Sequence, residues 1–180
     1  VSAKEEIRIL EEIARICGMS RKRGSFKHVV QWFDTILPSK DTKHRYGVIM
    51  QYLNRKNLSK TRLDPEHITN RWTYVAQVHS GLRFLHGNGY IHCDIKPDNI
   101  MLHAGDSATE TPYAVITDLG LAVKTNEKIR SVFHGYGLYK AGQEAVADQD
   151  FYALVMTAYA LFDPRVNERP GTKEQIDQYI

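Results

Sequence analysis

The run Tyr90-Ile91-His92-Cys93-Asp94-Ile95-Lys96-Pro97-Asp98-Asn99-Ile100-Met101-Leu102 constrains this chain more than any other stretch. An Asp, a Lys and an Asn fall within six residues, between apolar pairs that read as two short strands. Asp94, Lys96 and Asn99 are therefore spaced for a loop held at both ends, with several polar side chains aimed into one place. A second signal follows in Ala114-Val115-Ile116-Thr117-Asp118-Leu119-Gly120, an apolar strand that ends in an Asp and then a Gly able to take φ > 0. Two carboxylates and a carboxamide converging at strand ends suit a hard, oxygen-loving cation such as Mg²⁺, which usually also binds substrate phosphates.

Composition limits the alternatives. The 180 residues suit one domain, or one domain plus a fragment, and 42% hydrophobic content suffices for a packed core. A net charge of +3 is too small to argue for nucleic acid, and Arg21-Lys22-Arg23 reads as a solvated loop. Cys17 and Cys93 lie far apart and show no metal spacing, which fits a reduced intracellular compartment, cytoplasmic or nuclear. No apolar run approaches a membrane span, and the first residues carry no signal-peptide pattern. Neither nucleic acid nor membrane is expected as a partner. The absence of an initiator Met suggests a fragment or a processed piece.

His92-Cys93-Asp94-Ile95-Lys96-Pro97-Asp98-Asn99 resembles the catalytic loop of the eukaryotic-type Ser/Thr protein kinases, and Asp118-Leu119-Gly120 resembles their metal-binding triplet. The resemblance implies ATP and Mg²⁺ as cofactors and phosphoryl transfer to a Ser or Thr hydroxyl of a protein substrate. It gives Asp94 the substrate hydroxyl proton, Asn99 and Asp118 the Mg²⁺, and Lys96 the charge on the transferring group. Other assignments along the chain follow from the same likeness.

Ser2 to about Cys17 reads as a helix, with Ile7, Leu10, Ile13 (or Ala14) and Cys17 at helical spacing and Ser2 as N-cap. Glu6-Ile7-Arg8-Ile9-Leu10 resembles the family's small-lobe helix. Glu6 would then pair with the Lys that holds ATP phosphates, with Glu11 or Glu12 as alternatives, and Leu10 would point back at the metal triplet around Leu119. His28–Ile36 and Tyr46–Leu53 read as strands. By resemblance they lead into the hinge, with Met50 behind an adenine pocket, the Leu53 backbone on the adenine edge and Asn57 near the ribose, and Gln51 and Met101 among the cofactor-binding residues.

From Asp64 or Pro65 to His86 a single helix is expected, its apolar stripe formed by Ile68, Trp72, Val75, Ala76, His79, Leu82 and Leu85 or His86. His79 is expected as a packed or bonded core histidine. Leu121–Phe133 resembles an activation segment, with Thr125 and Ser131 as its hydroxyls, and His134–Glu144 resembles its closing motif. Asp150-Phe151-Tyr152-Ala153-Leu154 resembles the start of the family's central buried helix, whose Asp150 would brace the backbone around His92. Arg169 would pair with Glu144.

The expected fold is therefore α+β and protein-kinase-like. A partial small lobe over residues 1–53, a helix plus strands, sits on a mostly helical large lobe over 54–180. The sequence departs from the family pattern in several places. No glycine-rich loop and no strand with a phosphate-binding Lys precede Glu6, so the chain reads as N-terminally truncated. Cys93 replaces the Arg that usually precedes the catalytic Asp, which argues against phosphorylation control through that Arg. The closing motif lacks its Pro and holds an extra residue, and the segments after Glu144 and Phe162 are short. These departures give the second expectation, a catalytically weak kinase-like module that binds a partner kinase or its regulator.

Overall fold

The computed structural model describes residues 3–19, 27–37, 47–61, 64–104, 110–129, 136–137 and 139–163. Its helices are α1 (Ala3–Met19), α2 (Leu58–Thr61), α3 (Pro65–Ile68), α4 (Arg71–Gly87) and α5 (Ala147–Phe162). The strands are β1 (Trp32–Ile36), β2 (Gly47–Met50), β3 (Tyr90–Ile91), β4 (Ile100–His103), β5 (Tyr113–Ile116) and β6 (Val123–Lys124). Short 3₁₀ turns cover Pro97–Asn99 and Leu119–Leu121. Among the described residues the strands pair antiparallel as β1–β2, β3–β6 and β4–β5. No helix among them is long and apolar enough to cross a membrane.

The first helix forms where its apolar spacing placed it. Ile9, Leu10 and Ile13 are buried, while Arg8 and Glu11 face water. Ser2 lies outside the described residues, as do Ser131, Phe133 and Arg169. The two expected small-lobe strands are shorter than the sequence suggests. β1 begins only at Trp32, because the chain before it bonds elsewhere: Ile116 N donates to His28 O and Val30 N to Ile116 O, both at 2.8 Å. Residues 28–30 thus run along β5 in parallel, with Val29 bridged to Ile116, and β1 then turns off to meet β2. Past Met50 the chain leaves β2, although Gln51 N still donates to Gln31 O at 2.7 Å.

The long helix expected from Asp64 to His86 is two helices, broken by a turn at Thr69 and Asn70. Both residues are poor helix formers, and the break carries a change of face. His67 and Tyr74 turn inward and meet, Nδ1 to Oη, at 3.0 Å. The buried side of α4 is Tyr74, Val78, Gly81, Leu82, Phe84 and Leu85. The expected stripe shares only Leu82 and Leu85 with it. Ile68 is exposed and Trp72 is 69% exposed. His79 is not a core histidine; it is exposed, with its ring 5.4 Å from Phe151. That outer stripe runs along α5, where Trp72 lies against Phe162 and His86 against Phe151. α4 therefore has two apolar faces, one on β5 and the core, the other on α5.

Candidate active site

Two strand pairs deliver the polar residues to one end of the fold. β3 runs into the loop at His92, and that loop returns through the Pro97–Asn99 turn into β4. β4 pairs with β5 from Ile100 opposite Ile116 to His103 opposite Tyr113. Asn99 and Thr117, the residues just beyond that first pair, therefore sit side by side. The Asn99 carbonyl accepts from Thr117 N at 2.9 Å and from Thr117 Oγ1 at 3.0 Å, fixing the step before Asp118.

Within the loop the Asp94 carboxylate is held on one oxygen only. Asp94 Oδ2 accepts from Lys96 Nζ at 2.6 Å and from Asn99 Nδ2 at 2.8 Å. Asp94 Oδ1 is buried and has no hydrogen-bond partner among the described residues. A buried carboxylate oxygen without a protein donor is costly, and this one is open to a hydrogen bond from a ligand or water. Asn99 Nδ2 also donates to the Asp94 carbonyl at 2.9 Å, so its amide nitrogen is engaged and its Oδ1 is the atom left for a cation.

His92 joins the loop to the second strand pair. It is fully buried, with Nε2 3.0 Å from the Thr117 carbonyl and Nδ1 3.2 Å from Asp94 N. A carbonyl can only accept and an amide N–H can only donate. The ring is thereby fixed with its proton on Nε2.

Beneath the loop lies Asp150, completely buried on α5. It accepts from His92 N at 2.8 Å, Cys93 N at 3.0 Å, His86 Nε2 at 2.8 Å and Tyr139 Oη at 2.6 Å. Burial alone would push this carboxyl up, but the donors from His86, His92 and Tyr139 outweigh it and hold it below its ordinary value. Burial pushes the Cys93 thiol well up, with the Asp150 and Asp94 carboxylates adding to it, so this cysteine is an inert packing residue.

Cys93 and Asp118 both take left-handed backbone, with φ 65 and 60. For side chains with a Cβ that conformation is unfavourable and persists where surrounding contacts enforce it. Asp150 enforces it at Cys93 through the Cys93 N–H. At Asp118 the turn is closed by Gly120 N donating to Oδ1 at 3.3 Å, and the residue is exposed.

The remaining candidate residues are spread around this centre. Leu10 and Leu119 are buried in the same core, where α1 packs on the Leu119–Leu121 turn. Asn57 is bridged to Met101 and donates Nδ2 to the Asp98 carbonyl at 3.3 Å, which ties the approach to α2 onto the catalytic loop. Met101 and Leu53 are half-buried, whereas Met50, paired with Trp32, is 44% exposed. Glu6 lies in α1, and its side chain is outside the described residues, as is Arg169, the expected partner of Glu144. Glu144 itself is exposed, bridged to Lys128 by its backbone, with its carbonyl accepting from Gln149 Nε2 at 3.3 Å. Sequence reasoning missed His86 and Tyr139 as partners of Asp150. His86 was read only as an apolar stripe position.

The donor set suits a cation shared with phosphate oxygens. Among the described residues no group of three or more His, Cys, Asp or Glu could cage a metal. Mg²⁺ is characteristically held by one or two carboxylates while its other ligands are water and substrate phosphates. An exposed carboxylate at Asp118 and the amide oxygen of Asn99 match that habit.

Comparison with known proteins agrees with this geometry. The chain is 30% identical over 124 residues to "Probable serine/threonine-protein kinase iksA" of Dictyostelium discoideum, covering 63% of this chain and 12% of that protein. It is 32% identical over 136 residues to "Serine/threonine-protein kinase ArnS" of Sulfolobus acidocaldarius, covering 64% of this chain and 20% of the relative. It is 31% identical over 116 residues to human "3-phosphoinositide-dependent protein kinase 1", covering 59% and 20%. The matches span at most a fifth of the length of these relatives. The family model described as "Protein kinase domain" matches residues 1–165, nearly the whole chain, with the loop of Asp94 and the turn of Asp118 inside it, and the chain is therefore a member of the eukaryotic-type protein kinase family.

Proposed function

We propose that this chain transfers the γ-phosphoryl group of ATP to a Ser or Thr hydroxyl of a protein substrate, with Mg²⁺ as cofactor. The observation that carries the reading is the Asp94 carboxylate, tethered through Oδ2 and unpartnered at the buried Oδ1. In this reading the substrate hydroxyl donates its hydrogen bond to Asp94 Oδ1. As the hydroxyl oxygen bonds to phosphorus and the bond to the departing ADP breaks, the proton passes to Asp94. Lys96 pins the same carboxylate and would offset charge on the group in transfer. Asn99 and Asp118 would hold Mg²⁺, whose chemistry is to neutralise the phosphate oxygens. His92 and Asp150 keep the loop in shape and touch no reacting atom. Specificity for Ser or Thr is supported by Lys96, two residues after Asp94, and by the names of the relatives.

The test is phosphotransfer from radiolabelled ATP to a mixture of Ser/Thr peptides. Asp94→Asn keeps the size of the side chain but removes the proton acceptor, and its rate is expected to fall by about 10²–10⁴. An Asp94→Asn variant that matches the parent rate would overturn the assignment of the base.

A further inference from the structure

The mechanism leaves one polar cluster unused. The Glu12 carboxylate of α1 meets side chains from three elements. Tyr90 of β3 donates its hydroxyl to Glu12 Oε2, Lys124 of β6 lies 3.1 Å from the same oxygen, and Arg8 of α1 donates to Oε1 at 2.8 Å. Tyr90 is 4% exposed, so its hydroxyl needs a protein acceptor, whereas Lys124 and Arg8 are nearly half exposed and add little as ion pairs.

The position of the cluster gives it meaning. β3 and β6 pair with Tyr90 opposite Lys124. β3 is the strand that enters the catalytic loop, and β6 leaves the turn that follows Asp118. Leu10, two residues before Glu12, is buried in the core with Leu119 of that turn. Apolar contacts such as these seat a helix but tolerate small rotations. A directed hydrogen bond from a buried phenol to one carboxylate does not.

We infer that Glu12 is a positioning residue: by accepting from Tyr90 it fixes the rotation of α1 against the strand that enters the catalytic loop and the strand that leaves the metal turn. Its consequence for phosphoryl transfer rests on the function proposed above, but the seating itself is independent of nucleotide.

Hydrogen exchange of the purified chain without nucleotide separates the two. In Glu12→Ala the amides of Ile7–Ile16 are expected to exchange about tenfold faster, while those of α5 keep their rates. Glu12→Gln still offers an oxygen to Tyr90 and is expected to restore most of the protection, and Tyr90→Phe should loosen α1 with α5 unchanged. The proposal is overturned if α1 in Glu12→Ala exchanges like the parent, if α5 loosens to the same degree, or if Gln is as loose as Ala. Should Glu12→Ala not fold, the Tyr90→Phe comparison decides by the same criteria. A KM for ATP that rises in Glu12→Ala at little cost in kcat would extend the seating to the nucleotide. A parent without phosphotransfer would sink the proposed function and leave the exchange result standing.

Discussion

At Asp94 and Asp150 the same side chain does opposite work because of what faces it. Asp94 leaves one oxygen unpartnered beside Lys96, whereas Asp150 meets four donors and is saturated. A buried carboxylate with that many donors is costly to alter, since each donor would lose its acceptor. Asp150→Asn is expected to cost about 3 kcal/mol at neutral pH, read by chemical denaturation. The pH dependence has a definite sign. The folded carboxyl of Asp150 lies below its ordinary value of 3.8, so its contribution is complete above that value and is lost as pH falls through the folded pKa. The gap between parent and Asp150→Asn should therefore narrow as the pH drops from about 5 to about 2. A gap that stays constant over that range would mean that Asp150 is not held ionised by its donors.

At the scale of elements, α4 is packed on two sides, by β5 and by α5. Gly81 sits in the middle of this helix, where Ala would ordinarily gain about 1 kcal/mol. A Cβ there would meet the His28 carbonyl at 2.7 Å and Ile116 Cδ1 at 2.9 Å. The first neighbour is backbone, bonded in turn to Ile116 N, and has little room to move. Gly81→Ala is therefore expected to destabilise by about 1–3 kcal/mol, while Gly87→Ala, with no atom of the described residues within 4 Å, should be neutral or stabilising. A thermal melt of each variant checks both, and a stabilised Gly81→Ala would refute the close approach. This helix is also where the sequence was hardest to read. Its two apolar faces share Leu82 and Leu85, so the spacing fits either frame, and only the turn at Thr69–Asn70 and the arrival of α5 decide between them. α1 was legible because it has one apolar face and α5 does not compete for it.

For the molecule as a whole, the candidate site was legible because its chemistry is written locally. Asp94, Lys96 and Asn99 lie within one loop, and Asp118 ends one strand. What joins these pieces was not written locally. His92 meets Thr117 across 25 positions and Tyr90 meets Glu12 across 78, while Asp150 meets His92 across 58, a pairing expected from the family resemblance alone. A single sequence carries no pairing signal over such distances, and the left-handed backbone at Cys93 has no glycine to announce it. The function proposed above requires these separate pieces to assemble a site for nucleotide and Mg²⁺. Thermal unfolding of the chain with and without Mg²⁺-ATP, beside Asp118→Ala, tests it most directly. At a hundred times its Kd a ligand adds about 2.7 kcal/mol, a readily measured rise in Tm. A Mg²⁺-dependent rise is expected in the parent, and Asp118→Ala should lose it. A cooperative melt that millimolar nucleotide leaves in place, or a rise that persists in Asp118→Ala, would contradict it.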